Sequence, residues 1–269
     1  MKHKISVLIF SIIILGLLSV DCHAQLLIEK GKVQYKANPG EHVEDTVTIH
    51  NTSDKAMDIR VYWEDFEYVA PFDGNKQFYP LGMTERSCGK FGQFSPQEFN
   101  LPAFGSKKVN FSVNLPQDAK GTFNGVLFFE KRDESTVKTT GFQLVTRIGC
   151  LVFIDINGSS KGAQISGISA ASDRILGDFE NKGQLTLFPK GTYYIIDSEG
   201  LAVDRGEIKA LYLPLAAKAE FSITMSKDIL PGSYTAVLTF DLDGGDSLVK
   251  EVDFTKDERG QTTITATRD

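Results

Sequence analysis

Residues 99–129 read FNLPAFGSKKVNFSVNLPQDAKGTFNGVLFF, and residues 211–240 repeat the same pattern as LYLPLAAKAEFSITMSKDILPGSYTAVLTF. A Leu-Pro pair, a Phe-centred alternating run, a glycine and a final Val-Leu-x-Phe follow in the same order, about 111 residues apart. Solenoid repeats are only about 20–50 residues long, so this spacing corresponds to a whole domain. The sequence therefore predicts two tandem copies of one β-domain, in which Phe111 and Phe221 are equivalent.

Short alternating runs and turn residues dominate the rest of the chain, with almost no helical period. In the second copy we predict strands at 164–169, 174–180, 185–188, 191–196, 219–225, 233–242 and 247–254. About seven short strands per ~100 residues is typical of an immunoglobulin-like sandwich. The predicted fold class is all-β, with two tandem immunoglobulin-like β-sandwich domains after an N-terminal signal peptide.

The predicted boundaries are 1–24 for the signal peptide, 25–158 for the first sandwich, 159–256 for the second and 257–269 for a polar tail. The Gly/Ser-rich segment Asn157–Gly162 is the predicted linker and hinge. Residues 64–98, rich in Pro, Gly and aromatic residues, have no counterpart of similar length in the second copy. Insertions often carry binding function, but a long self-packed connection explains this one equally well.

The first 24 residues have the pattern of a secretory signal: a basic start, the apolar run Ile5–Val20 and a cleavage position at Ala24/Gln25. A lipid anchor on Cys22 is the alternative, and Asp21 disfavours it because a small residue is preferred there. We therefore expect an exported protein, periplasmic or extracellular, that meets a membrane only if Cys22 is lipidated.

The charge and the histidine content exclude several functions. A net charge of −6 is unsuited to nucleic acid, whose phosphates require basic patches. His42 and His50 are the only histidines after the signal segment, and on one strand they lie roughly 27 Å apart at ~3.3 Å per residue. The sequence has no Cys-x-x-Cys, no phosphate loop and no recognisable nucleophile–base pair. We expect no enzyme activity, no metal and no cofactor, and a protein as the partner.

Two cysteines follow the signal segment, and export permits a disulfide between them. Cys88 lies in the polar stretch TERSCGKFG, whereas Cys150 lies in an apolar strand, where cysteine is commonly a small buried hydrophobe. A Cys88–Cys150 bridge and two free thiols are both compatible with the sequence, because the sequence does not show whether their Cα atoms approach.

Residues 142–156 form a long predicted strand with two unequal faces. The even-numbered positions are almost all apolar and are predicted to face the core. The odd-numbered positions include Val145, Leu151 and Phe153, which is an unusually apolar set for a surface exposed to solvent. We interpret this strand as an edge available for binding.

Three stretches of the chain resemble exported proteins with two immunoglobulin-like domains. They read QYKANPGEHVEDTVTIHNTSDKAMDIRVYWEDF, LPAFGSKKVNFSVNLPQDAKGTFNGVLFF and LPLAAKAEFSITMSKDILPGSYTAVLTFDLDGG. One such group is the periplasmic pilus chaperones of the PapD type. The other is the surface proteins that partner WxL-domain proteins, which end in a membrane helix and a basic tail that the C-terminal KDERGQTTITATRD does not resemble. The resemblance covers nearly all of residues 26–254 and implies a non-catalytic protein that binds secreted subunits.

Pilus chaperones hold a subunit's C-terminal carboxylate with two basic residues in the cleft between their domains. By this resemblance the first matches Lys32 in EKGKVQY, where the family has arginine. The second falls on Gly149 or Cys150 in TRIGCLVF, which is a departure, with Arg147 nearby on the odd face. The candidate partner-binding residues are Lys32, Arg147, Val145 and Leu151.

Two functions therefore compete. The favoured one is a periplasmic chaperone-like module, involved in pilus assembly, that pairs strand 142–156 with a β-strand of a partner protein. The alternative is an extracellular adhesion or scaffold protein that binds through residues 64–98. Packed aromatic side chains in 64–98 and a free strand edge favour the first, and exposed aromatic side chains favour the second.

Overall fold

The computed structural model describes residues 25–132, 145–242 and 246–269, so the predicted signal segment and Cys22 lie outside the described residues. Within these ranges the chain forms strands and a short 3-10 helix at Gly89–Phe91. No helix of this part of the chain is long and apolar enough to span a membrane. The all-β prediction is confirmed.

The first domain is a sandwich of two sheets. Its strands are β1 (Leu26–Ile28), β2 (Lys32–Ala37), β3 (His42–Asn51), β4 (Met57–Tyr68), β5 (Lys76–Pro80), β6 (Gly92–Ser95), β7 (Glu98–Leu101), β8 (Ser106–Asn114), β9 (Thr122–Arg132) and β10 (Arg147–Ile156). One sheet has the order β1-β3-β8-β6, and the other has β2-β10-β9-β4-β5 with β7 also paired to β4. Alternate residues of both sheets meet in a core that contains Trp63, Phe111 and Ile154.

The second domain is also a sandwich. Its strands are β11 (Ala163–Ala171), β12 (Arg174–Asn181), β13 (Lys190–Asp197), β14 (Ala202–Ile208), β15 (Lys218–Thr224), β16 (Gly232–Asp241), β17 (Ser247–Lys256) and β18 (Thr262–Arg268). The sheets have the orders β11-β12-β15 and β14-β13-β16-β17-β18. Phe221 on β15 is 3% exposed and Phe111 on β8 is 2% exposed, so the repeat aligned two equivalent core residues.

Three sequence predictions differ from this fold. Residues 257–269 are not a tail, because β18 pairs with β17 along its length. Strand β14 was not predicted, and the predicted strand 185–188 contributes only an isolated bridge between Leu187 and Leu213. Both missed strands lie at sheet edges and carry charged residues, glycine or threonine, so they lack the alternation that identifies a half-buried strand.

The linker is bonded to both domains. The N–H of Asn157 donates to the carbonyl of Ala37 at 2.8 Å, and the N–H of Gly121 donates to Oγ of Ser159 at 2.7 Å. From the second domain, the N–H of Gln184 donates to the carbonyl of Ser160 at 2.8 Å. These bonds hold the linker in place where the chain passes from the first domain to the second.

The insertion 64–98 is built into the fold. Strand β5 extends the β4 edge, β7 pairs with β4, and β6 pairs with β8 in the opposite sheet. The aromatic side chains of the insertion are buried or half-buried. Its turn also reaches the second domain, where the N–H of Tyr212 donates to the carbonyl of Phe72 at 2.9 Å. The self-packed interpretation is favoured, and the adhesion alternative loses its main support.

Two buried asparagines repeat one hydrogen-bond pattern in the two domains. Asn51 ends β3 and is 2% exposed, and Asn181 ends β12 and is 1% exposed. In each, Nδ2 donates to three backbone carbonyls and Oδ1 accepts the N–H two residues later. The carbonyls belong to Lys55, Leu101 and Pro102 in the first domain and to Leu185, Leu213 and Pro214 in the second. The side chain thus ties a turn to the repeated Leu-Pro segment.

Candidate functional site

Strand β10 is covered on one side for only part of its length. It pairs with β9 from Arg147 to Asp155, whereas parallel pairing with β2 is confined to 151–156. Over 147–150 the described residues offer no second pairing strand. The prediction that all of 142–156 forms an edge is therefore wrong for 151–156, and its residues 142–144 lie outside the described chain.

The open side of this segment presents backbone hydrogen-bonding groups. The N–H of Leu151 donates to the carbonyl of Gly31 at 3.0 Å, which places the bonding groups of odd-numbered residues on the β2 side. Because these groups alternate along a strand, Arg147 and Gly149 direct theirs to the same side. The carbonyl of Thr146 instead accepts the N–H of Lys131 from β9 at 3.0 Å.

Lys32 begins β2 and lies beside Leu151 in the parallel register. Its Nζ is 3.6 Å from the ring centroid of Phe188 in the second domain and 4.8 Å from that of Phe153 in the first. An ammonium at these distances is attracted by the negative faces of the rings. The cation predicted from the opening strand therefore lies at the junction of the two domains.

Arg147 is held by an aromatic ring and two acceptors. Its guanidinium carbon lies 4.0 Å from the centroid of Phe128, and Nη1 donates to Oε1 of Glu64 at 2.9 Å and to the hydroxyl of Tyr62 at 3.2 Å. That hydroxyl in turn donates to Glu130 at 2.6 Å. Burial lowers the pKa of Arg147, but its bonds to Tyr62 and Glu64 outweigh this and raise the pKa above its ordinary value.

The four candidate residues line one edge but do not form a single cluster. Arg147 precedes Leu151 by four residues, about 13 Å along a strand, so it is well separated from Lys32. Val145 is 50% exposed and lies just before β10, and Leu151 is half-buried. Lys32 lies at one end of the open segment and Arg147 at the other.

Solved structures share this architecture. A chain from a complex described as a chaperone–tip adhesin complex of CFA/I fimbriae biogenesis matches with a TM-score of 0.52 at 14% identity, over 84% of this chain and 97% of that chain. The class 5 fimbriae chaperone CfaA matches with a TM-score of 0.50 at 15% identity, over 83% of this chain and 97% of that chain. The protein has the pilus-chaperone fold. The predicted pair of immunoglobulin-like sandwiches is thereby confirmed. No protein-family model and no curated protein matches the sequence.

Gly149, one of the two positions that match the family's second lysine, has no room for a side chain. A Cβ atom there would lie 2.6 Å from Cγ2 of Val126 and 2.8 Å from Cε1 of Phe128. The Phe128 ring, which also supports Arg147, occupies that space. The sequence does not show this contact, because it depends on the register of β9 against β10.

We expect Gly149→Ala to destabilise the first domain by about 1–3 kcal/mol, because the added methyl overpacks the site. Gly31→Ala is the matched control, since a Cβ at Gly31 meets no atom within 4 Å. It should change the free energy of unfolding by less than about 0.5 kcal/mol. Urea unfolding of both variants measures the difference, and equal stability would show that Phe128 does not cover Gly149.

The apolar odd face of β10 packs at the domain junction. Phe153 is 1% exposed, and its ring centroid lies 5.3 Å from Phe188 of the second domain. Tyr68 of β4 similarly lies 5.0 Å from Tyr212. Aromatic contacts of this kind add to the energy of burial. The unusual apolarity seen in the sequence thus indicates a domain interface.

The two cysteines are buried and free, so the bridge considered from the sequence is not formed. Cys150 lies opposite Leu127 on β9, whereas Sγ of Cys88 packs beside Gly125, two residues away along that strand. Burial raises the pKa of the Cys88 thiol, and it raises that of Cys150 to about 12. Both therefore act as small apolar core residues.

Proposed function

We propose that the chain is an exported, non-catalytic chaperone-like protein that adds a β-strand of a secreted or surface subunit to the open edge at residues 145–150. The observation that carries this proposal is the partial covering of β10, which is paired on both sides at 151–156 and on one described side at 147–150. Unpaired backbone groups on a strand edge bind a further strand through main-chain hydrogen bonds. The names of the similar structures, a fimbrial chaperone and a chaperone–tip adhesin complex, favour a pilus subunit as the partner.

Strand β2 limits how far the incoming strand extends. Because β2 already pairs with β10 from Leu151 onward, an added strand must end beside Lys32. A strand parallel to β10 ends there with its C-terminus, so its terminal carboxylate meets the lysine ammonium. An antiparallel strand would instead place an N-terminal amine against the same cation. The favoured ligand is therefore the C-terminal β-strand of a subunit, added in parallel.

Arg147 has a different role in this proposal. It lies beside the start of the open segment, and it forms an ion pair with Glu64 when no partner is bound. Together with Val145, it contacts side chains of the added strand well before that strand ends. Its contribution to affinity should therefore be independent of whether the terminus of the partner is charged.

The expected result of Lys32→Met is the loss of discrimination between a C-terminal-strand peptide with a free carboxylate and the same peptide with an amide terminus. A charge-assisted contact supports a preference of roughly tenfold for the free acid in the unaltered protein. Lys36→Met, a change of another exposed lysine on β2, is the matched control and should keep that preference. Arg147→Met should weaken both peptides by the same factor. The measurement is the dissociation constant by isothermal titration calorimetry.

Two N-methylated forms of the peptide test the edge itself. Methylation of alternate backbone nitrogens that face β10 should abolish binding, whereas methylation of the nitrogens that face away should leave it nearly unchanged. Equal binding of both forms would rule out strand addition. Retained discrimination in Lys32→Met, with strand addition intact, would refute only the parallel direction and the role of the lysine.

A further inference from the structure

Charged side chains of alternating sign form a row across the outer face of the larger first-domain sheet. Glu98 on β7 lies opposite Arg60 on β4, and Arg60 lies opposite Glu130 on β9. Glu130 in turn lies opposite Arg147 on β10. Side chains directly opposite each other have Cβ atoms about 4.5–5.5 Å apart, and opposite charges there favour the pairing of the strands. The row therefore alternates acid, base, acid and base, and its last member is Arg147.

The row ends at the open edge of β10. Arg147 pairs with β9 on one side, and among the described residues no strand pairs with the other side of β10 before Leu151. A strand added there places one residue directly opposite Arg147, with its side chain on the same face of the sheet. An acid at that position continues the alternation of the row, whereas a base is a second cation beside Arg147 and disfavours pairing.

The guanidinium of Arg147 has donors left for such an acid. Only Nη1 makes side-chain hydrogen bonds within the described part of the chain, to Glu64 at 2.9 Å and to Tyr62 at 3.2 Å. An arginine has five N–H groups, so those on Nη2 and Nε can bind a carboxylate in a bidentate arrangement. The side chain of Arg147 is 34% exposed, so a neighbouring strand can reach these groups.

Two acids of the protein limit the strength of this contact. Glu64 forms an ion pair with Arg147, and Glu130 accepts a hydrogen bond from the hydroxyl of Tyr62 at 2.6 Å. A cross-strand pair of opposite charges changes an affinity by at most about fivefold. The contact therefore discriminates between partner sequences, whereas the main-chain hydrogen bonds supply most of the affinity.

The next position along the edge has the opposite requirement. Ile148 follows Arg147, and its side chain packs against the core of the first domain. Because successive side chains of a strand face opposite sides of the sheet, the residue opposite Ile148 points toward this apolar core. An acid there loses water without gaining a cation. The effect of an acid should therefore alternate along the added strand, which a general attraction between charges would not produce.

From these features we propose that Arg147 selects partner strands that carry an aspartate or glutamate directly opposite it, as the fifth charge of the row. The proposal rests on the strand addition proposed above, but it does not depend on the direction of the added strand or on Lys32. Arg147 then contributes to the choice of partner in two ways, because it attracts an acid at this position and repels a lysine or arginine.

The test measures dissociation constants by isothermal titration calorimetry for acetyl-Thr-Val-Xaa-Val-Xaa-Val-Thr, with Glu, Gln or Lys as Xaa. With one end of the peptide beside Lys32, one Xaa lies opposite Arg147 in either strand direction. We expect the Glu peptide to bind about fivefold more tightly than the Gln peptide, and the Lys peptide more weakly than both. The net charge of the chain is −6, so a non-specific attraction would instead favour Lys.

A shifted pair of peptides tests the alternation. In acetyl-Thr-Xaa-Gln-Val-Gln-Xaa-Thr one Xaa lies opposite Ile148 in either direction, so Glu should bind no more tightly than Gln. An equal preference for Glu in both series would contradict a contact with Arg147. These peptide comparisons use the unaltered protein, so they do not depend on the folding of any variant.

Two variants assign the preference to one side chain. Arg147→Met should bring the affinities of the Glu and Gln peptides of the first series to within about twofold of each other. Arg60→Met is the matched control, because it removes the same charge from the same row. Arg60 lies three strands from the added strand, about 14 Å at ~4.8 Å per strand. This exceeds the Debye length of about 8 Å at 0.15 M salt, so the preference should remain.

The outcomes separate this proposal from strand addition itself. Equal loss of the preference in Arg60→Met and Arg147→Met would refute the direct contact. Binding of the Glu, Gln and Lys peptides with equal affinity would refute the selection by Arg147 and leave strand addition intact. No binding of any peptide at about 1 mM would overturn both.

Discussion

Asn51→Ala is expected to lower the free energy of unfolding of the first domain by about 3–5 kcal/mol. One hydrogen bond contributes about 1 kcal/mol net, and this change removes the bonds of Nδ2 to three backbone carbonyls and those of Oδ1 to the N–H and the hydroxyl of Ser53. The carbonyls of Lys55 and Pro102 keep a second donor each, the hydroxyl of Ser53 and the N–H of Gly105, but the N–H of Ser53 loses its acceptor. A buried polar group without a partner costs about 1–3 kcal/mol by itself. Asn181→Ala should have a similar effect in the second domain, because its three bonds are equivalent.

The measurement is urea unfolding followed by tryptophan fluorescence and by far-ultraviolet circular dichroism. Trp63 is the single tryptophan of the chain and lies in the core of the first domain, so its fluorescence reports on that domain. Asn100→Ala is the matched control, because Asn100 is exposed and its side-chain amide donates to a side chain, Oδ1 of Asp58, at 3.0 Å. A loss below about 1 kcal/mol for Asn51→Ala would contradict the energetic role assigned to the hydrogen bonds of its side chain.

Phe111→Ala and Phe221→Ala should each destabilise their own domain by about 3–5 kcal/mol, as expected for a fully buried phenylalanine. The ring of Phe111 packs edge-on against Trp63, with centroids 5.9 Å apart. The ring of Phe221 packs 5.2 Å from Phe240 and fills the space above Gly177, where a Cβ would lie 2.6 Å from Cζ of Phe221. Truncation therefore leaves a cavity in both cores.

The same unfolding experiments test these variants. Phe111→Ala should shift the fluorescence transition of Trp63, whereas Phe221→Ala should affect the circular dichroism transition more strongly. Phe104→Ala, a change at a side chain that is 73% exposed, should have little effect. An effect under about 1 kcal/mol at either core position would contradict the burial on which the equivalence of the two copies rests.

The local pattern was sufficient for the cores of both domains. Alternation along β3, β4 and β8 follows from the opposite directions of successive side chains, so the residues that face the core can be read directly. The internal repeat by itself aligns Phe111 with Phe221. The paired asparagines are also visible in the sequence, in NTSDK and NKGQL, but no local rule indicates that a turn asparagine is buried and bonded to a distant Leu-Pro segment.

The candidate site was predicted only in part. Lys32 and Arg147 were identified as cations near one strand, but their ring and acceptor partners come from β4, β9 and the second domain. The absence of a side chain at Gly149 follows from the position of Phe128 across the strand pair. Tyr68 and Phe72, which contact Tyr212 of the second domain, lie in the insertion, where the sequence offered two interpretations and did not indicate a domain contact.

The sequence by itself determined that the chain is all-β, that one domain occurs twice, and which faces of most central strands are buried, because these depend on periods of two residues within single segments. Only the tertiary structure decided which strands are neighbours: that β2 covers 151–156 and leaves 147–150 open, that β18 forms the edge of a sheet, and that aromatic rings of the two domains pack against each other. Strand neighbours and domain contacts are set by packing between residues far apart in the chain, so they cannot be predicted from a local pattern.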